Sequence, residues 1–203
     1  LIPHLSTCTP AIWADTAIAS MMTHNDSSSI ASCLAFVHIL LELIQVKEPP
    51  DPAWWGESFV SVARELELNK GYRHRGGHFM DYEGTLWQFV SEKVPEAYEK
   101  GLDVVDACNA WYSGAYLLET VPSVLFILMR FGNDPEEAIV RAVNDTKDND
   151  SIAAIVGAAV GALHGARKLP KRWVDGLAGR TGASDDGRIF EILANAKLLV
   201  AAA

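Results

Sequence analysis

The sequence predicts an all-α fold, organised as a single domain over residues 1–203. Three observations carry that prediction. Apolar residues recur three and four apart along most of the chain, strand-like alternation is nearly absent, and Ser, Thr, Asp, Pro and Gly stand where the periodic stretches begin and end. The shares of hydrophobic (49%) and charged (21%) residues are those of an ordinary globular protein with a sizeable core.

Taken in order, Pro10 sits just inside the first helix, where Ile12, Trp13, Ala17, Ile18 and Met21 follow at helical spacing until Thr23-His24-Asn25-Asp26. Ser27 to Ser29 are N-cap candidates for a second helix, which carries Ile30, Leu34, Val37, Leu40, Leu41 and Ile44. Pro49, Pro50 and Pro52 remove backbone donors and push their neighbours out of the α region, so a stiff turn precedes a third helix over about 53–66. From 69 to 84 the period fails. Tyr72-Arg73-His74-Arg75-Gly76-Gly77-His78 is polar, basic and glycine-rich, and it predicts a solvated surface loop rather than an arm reaching a diphosphate or an acidic partner. Helices are expected again over 85–90, 95–100 and from Val104, and a strongly apolar one carries Val121, Leu125, Leu128 and Met129. Asp134-Pro135-Glu136-Glu137 opens another, with a cap, a proline at the first position and acids in the first turn. The closing helices are expected over 151–166, 171–177 and 189–200, and the pairs Trp54-Trp55 and Trp111-Tyr112 are expected in the core.

A formal net charge of −9 disfavours a general nucleic-acid binder, which gathers Lys and Arg to displace counterions from phosphates. The longest apolar runs, 34–44 and 152–163, are shorter than the roughly 20 residues of a membrane span, so no membrane partner is expected. Cys8 and Cys33 fall on apolar helical faces and Cys108 precedes Trp-Tyr, a pattern of neither zinc site nor disulfide framework, which makes a reducing cytoplasm the expected home. No secretory leader is expected, and the opening Leu1-Ile2-Pro3-His4-Leu5 reads as the continuation of a longer chain. No pattern specifies an oligomeric state.

The chemistry is concentrated in Asn144-Asp145-Thr146-Lys147-Asp148-Asn149-Asp150-Ser151. Asp148, Asp150 and the Ser151 hydroxyl place three hard oxygens within one turn, which suits Mg²⁺ or Mn²⁺ better than a soft metal. The competing reading is that one aspartate caps the helix that follows. That helix carries Gly157, Gly161 and Gly165 among Ala153, Ala154, Ala158 and Ala162, a side almost without bulk, against which a close-packed neighbour is expected.

Asp148-Asn149-Asp150-Ser151 followed by Ile-Ala-Ala-Ile-Val-Gly-Ala-Ala-Val-Gly-Ala resembles the C-terminal signature of the ADP-ribosylglycohydrolase family. This is the group of dinitrogenase-reductase-activating glycohydrolase, the ADP-ribosyl-acceptor hydrolases and J1 crystallin. Pro170-Lys171-Arg172-Trp173, Thr23-His24 and Gly114-Ala115-Tyr116-Leu117-Leu118-Glu119-Thr120 extend the likeness over most of the chain. The resemblance implies a compact orthogonal helical array. It implies a hydrolase that cleaves the glycosidic bond between ADP-ribose and an acceptor, whether a protein side chain, a nucleic-acid base or a small metabolite. It makes Asp148, Asp150 and Ser151 ligands of a centre holding two Mg²⁺ or Mn²⁺ ions, and places His24 and Tyr116 against the substrate. Lys147 departs from the family, where glycine is usual. The Thr-Asp-Asp motif that supplies the family's other ligands is not in this sequence, so the chain is expected to be the C-terminal portion of such an enzyme, and no general base can be named. The rival reading is a silent member with a binding or crystallin-like structural role. A helical HD-type phosphohydrolase is disfavoured, because no His-Asp dyad is present.

Overall fold

The structure is a computed structural model that describes residues 9–68, 72–178, 191 and 194–195. Cys8 and nearly all of the helix expected over 189–200 lie outside the described residues. Among the described residues every regular element is helical. None of these helices is long and apolar enough to cross a membrane.

Local signals set most boundaries. Helix α1 (Pro10–Met21) opens with Pro10 and the Thr9 side chain accepting from the Ile12 amide. Helix α2 (Ser27–Leu43) is capped by Asp26 and not by the serines: Asp26 accepts from the Ser29 amide at 2.9 Å, while Ser28 and Ser29 are buried in the first turn. The carboxylate one position earlier outcompetes three hydroxyls because it is the stronger acceptor for the free N–H groups. Helix α3 (Pro52–Leu66) follows the proline turn.

Helix α4 (Leu86–Glu99) corrects the reading of two short helices. It runs unbroken through Pro95 behind a Thr85–Gln88 capping box. Pro95 removes one rung of the ladder, whereas Leu86, Phe89, Val90, Val94 and Ala97 keep a buried stripe in register on both sides of it. Helix α5 (Val104–Ala110) leads to α6 (Leu117–Phe131), in which every residue from Leu118 to Met129 is buried. Helix α6 is the axis of the molecule: α3, α4, α5, α7 and α8 all pack on it. The buried rings of Trp55, Phe89, Trp111 and Phe126 fill the space around it, with the Trp111 indole N–H donating to Ser123 Oγ at 2.8 Å.

Helix α7 (Pro135–Asn144) opens as the sequence predicts, with Asp134 accepting from the Glu137 amide. Helix α8 (Asn149–His164) buries Ile152, Val156, Ala159 and Val160. The close neighbour expected along its glycines is not there among the described residues. A Cβ at Gly157 would reach only ordinary contact with Ile139 and one at Gly161 would meet nothing within 4 Å. The exposed small residues Ala154 and Ala158 instead border open space. A short helix, α9 (Lys171–Ala178), ends the described chain apart from residues 191 and 194–195.

Candidate active site

Segments far apart in sequence meet around one cavity of about 780 Å³: the end of α1 and the turn after it, one face of α2, Tyr72, the start of α6 and the start of α8. It gathers His24, Tyr116, Asp148 and Ser151 on its wall. Asp150 is exposed in the first turn of α8 and stands outside that wall. The remaining lining divides by chemistry. Phe36, Val37, Leu40, Val121, Ile155 and Ala158 make an apolar side, and Ser20, Ser29, Ser32, Tyr72 and Thr120 add hydroxyls. An apolar pocket with a few convergent polar groups suits a small ligand that has both a flat face and hydroxyl or anionic groups.

The mouth of α8 is held from behind. The Asp148 amide donates to the Ser113 carbonyl at 3.0 Å and the Lys147 amide to Ser113 Oγ at 3.2 Å. Lys147 Nζ reaches Asn109 Oδ1 at 2.8 Å and lies 4.8 Å from the centroid of the Tyr112 ring. The Lys147 side chain thus turns toward the Tyr112 ridge. Tyr112 and Ser113 themselves adopt positive φ (81° and 42°), a strained turn that Lys147 and Asp148 help to brace.

Asp148 occupies the N-cap position, yet its side chain makes no capping hydrogen bond. The capping reading therefore fails for Asp148, and its carboxylate remains available to whatever enters the cavity. Asp148, Asp150 and Ser151 carry hard oxygens within the same turn, and of these Asp148 and Ser151 line the cavity. Among the described residues no group of three or more His, Cys, Asp or Glu is arranged to hold a metal ion. The donors present fit a shared, partial site for a hard divalent ion; they do not amount to a two-ion centre.

Tyr116 is the N-cap residue of α6, 45% exposed, and its hydroxyl has no hydrogen-bond partner among the described residues. It is a wall residue and not a core aromatic with a bonded hydroxyl. His24 lies just past the C-terminal end of α1, exposed, with Nδ1 3.1 Å from Thr23 Oγ1.

The basic loop is only partly solvated, which corrects the reading from composition. His74 is 5% exposed, its Nδ1 3.1 Å from the Trp111 carbonyl and its ring among Phe79, Tyr82 and Phe89. Its Nε2 is buried with no hydrogen-bond partner among the described residues. Burial pushes the imidazole below its ordinary value, against the opposing pull of the Trp111 carbonyl and Glu119. Arg75 ion-pairs with Glu119, whose side chain is wholly buried. Gly77, at φ +80°, permits the approach: a Cβ there would collide with the Ala110 carbonyl, to which the His78 amide donates at 2.6 Å.

On the other side of the cavity, Asp26 accepts from Ser29 Oγ at 2.7 Å and from the Tyr72 hydroxyl at 3.0 Å. Burial acts to raise this carboxyl, but the bonds from Ser29 and Tyr72 outweigh it and hold it below the usual carboxylate range. Sequence reading missed both arrangements. The available signals were the Gly76-Gly77 pair, which marks close backbone approach, and Glu119, a charge in an otherwise apolar helix that burial obliges to find a partner.

A profile described as ADP-ribosylglycohydrolase matches residues 4–202 of the chain. A protein of Archaeoglobus fulgidus, described as uncharacterized, is 38% identical over 92 residues, which are 45% of this chain and 29% of that protein. A Serratia proteamaculans protein named ADP-ribosylarginine hydrolase Tri1 is 27% identical over 165 residues, 81% of this chain and 36% of its own length. A Pseudomonas putida protein of the same name is 35% identical over 66 residues, 32% of this chain and 18% of that one. The chain thus spans about a third or less of the length of these curated relatives.

Proposed function

The chain belongs to the ADP-ribosylglycohydrolase family, and from that premise we propose that its cavity binds ADP-ribose and serves hydrolysis of the glycosidic bond to an acceptor. One observation carries this reading. Tyr116, His24, Asp148 and Ser151, separated by up to most of the described chain, line the same cavity, so that an aromatic ring and hard oxygen donors border one open cleft. Arginine is the first acceptor to test, because two relatives are named as ADP-ribosylarginine hydrolases.

In this reading the flat part of the ligand lies against Tyr116 and the apolar wall, and its distal ribose is directed to the mouth of α8. Asp148 and Ser151, with Asp150 beside them, would hold Mg²⁺ or Mn²⁺. The ion when bound supplies positive charge that orients the ribose diol and a water. The Asp148 side chain makes no capping hydrogen bond and is left for that task. The brace from Ser113 keeps it in place while the ligand exchanges.

A second reading is favoured by the absence, among the described residues, of a complete cluster of metal ligands: binding of ADP-ribose without turnover. The experiment that separates the two measures release of ADP-ribose from ADP-ribosylated arginine, serine and nucleic-acid substrates, with Mg²⁺, Mn²⁺ or chelator. Hydrolysis predicts metal-dependent release that falls at least about tenfold in Asp148→Ala. Binding of ADP-ribose with no release from any acceptor would favour the silent reading.

A further inference from the structure

We propose that Arg75 is a positioning residue for the cavity: clamped on the buried carboxylate of Glu119, its guanidinium holds the Tyr116 ring as a fixed stacking wall. In its consequence for ligand binding the inference rests on the reading above. The geometry of the clamp stands by itself. Glu119 Oε1 accepts from the Arg75 amide at 2.7 Å, and Oε2 accepts from Nε at 3.2 Å and from Nη2 at 2.9 Å. Backbone and side chain of Arg75 are therefore both tied to one carboxylate. Glu119 stands one turn after Tyr116 on α6, its amide donating to the Tyr116 carbonyl at 2.8 Å, so the anchor and the ring it serves share a rigid helical turn.

The guanidinium carbon lies 4.1 Å from the centroid of the Tyr116 ring. A planar cation at that distance is attracted to the ring face, and the fork of Arg can pair with a carboxylate while its plane stays on the ring. No hydrogen bond among the described residues holds the Tyr116 hydroxyl. With one face covered, the ring offers a ligand its other face in a set orientation. Room for the clamp depends on Gly114: a Cβ there would collide with both Arg75 Nη2 and Glu119 Oε2. The Thr120 hydroxyl, donating to the Gly114 carbonyl at 2.7 Å, pins that glycine. A purely structural partner for Glu119 would not need a guanidinium left 41% exposed beside a cavity-lining ring.

The test uses the full chain with 3-fluorotyrosine at position 116, in wild type, Arg75→Lys, Arg75→Met and Gly114→Ala. Arg75→Lys keeps a cation for Glu119 but loses the planar stack, and it guards against a variant that fails to fold. Fluorine relaxation in ligand-free protein is expected to show a restrained ring in the wild type and a freely moving one in all three variants. Calorimetric titration with ADP-ribose is expected to show affinity lowered roughly three- to tenfold by Arg75→Lys, and by less than about twofold when Tyr116→Ala is already present. An equally restrained ring in Arg75→Lys and Arg75→Met would overturn the proposal, as would an affinity loss of the same size in the Tyr116→Ala background. A wild-type protein that does not bind ADP-ribose would refute the proposed function alone, and the ring relaxation would still decide the role of Arg75.

Discussion

Five carboxylates of the molecule fall into two sets that the fold treats in opposite ways. Asp26, Glu67 and Glu119 are each fully engaged. Asp26 caps α2 and accepts from Tyr72, Glu119 holds Arg75, and Glu67 accepts from the Ser28 hydroxyl at 2.7 Å and from the Leu86 and Trp87 amides at 2.8 and 3.0 Å. Asp148 and Asp150, at the mouth of α8, make no side-chain hydrogen bond or ion pair among the described residues. A buried carboxylate must be supplied with donors or it neutralises, whereas a carboxylate at an open cavity can wait for a cation or a ligand. The engaged set ties distant segments together, and the unengaged set is the one we propose for chemistry.

That contrast is easiest to break at Glu119. Glu119→Ala strands the Arg75 amide and guanidinium and is expected to lower stability by about 3 kcal/mol, read from urea unfolding. A loss no larger than for an exposed residue would remove Glu119 from the engaged set. Glu67→Ala exposes the same logic with neutral donors only, since it leaves the first two amides of α4 and a buried hydroxyl without an acceptor. About 2 kcal/mol is expected by the same measurement.

His74 sharpens the comparison through pH. Its folded-state pKa lies below the ordinary 6.5, so the unfolded chain binds the proton more readily. Its neutral form therefore contributes stability that is complete above pH 6.5 and is lost as pH falls toward the lowered value. The melting temperature of the wild type should drop between pH 7 and 5 more steeply than that of His74→Gln, and parallel slopes would show that other groups dominate this window. The smallest effect on stability is expected from Asp148→Asn and Asp150→Asn, each within about 0.5 kcal/mol of wild type. Their combination should nevertheless remove Mn²⁺ binding in a calorimetric titration, and undiminished affinity would place the ion elsewhere.

The helices were legible because their signals are local. A 3.6-residue period, a cap such as Asp134 and a proline at a first turn act within a few residues, so α1, α3, α7 and α8 appear in the sequence nearly where they stand. The two errors of extent came from weighing a local rule alone. Ser27 to Ser29 compete with a neighbouring carboxylate, and Pro95 is carried by a buried stripe that continues past it. Asp148 and Ser151 were legible as a motif of oxygens. That Asp148 does not spend its carboxylate on the helix cap was visible only in the folded turn, because the Ser113 brace comes from another part of the chain.

By itself the sequence determined the helical class and the acidic turn at the mouth of α8, since each of these depends on short spacing, and it carried the motifs that resemble the family. Tertiary structure alone decided which of those residues share a cavity: it brought His24 and Tyr116 to Asp148 and Ser151 and left Asp150 outside the wall. It also turned a basic loop that composition describes as solvated into the clamp of Arg75 on Glu119, 44 residues away. The reason is physical. Spacing along a helix sets which side chains share a face, but the pairing of a buried charge and the open face of a ring depend on which distant segment the packing of the core brings against them.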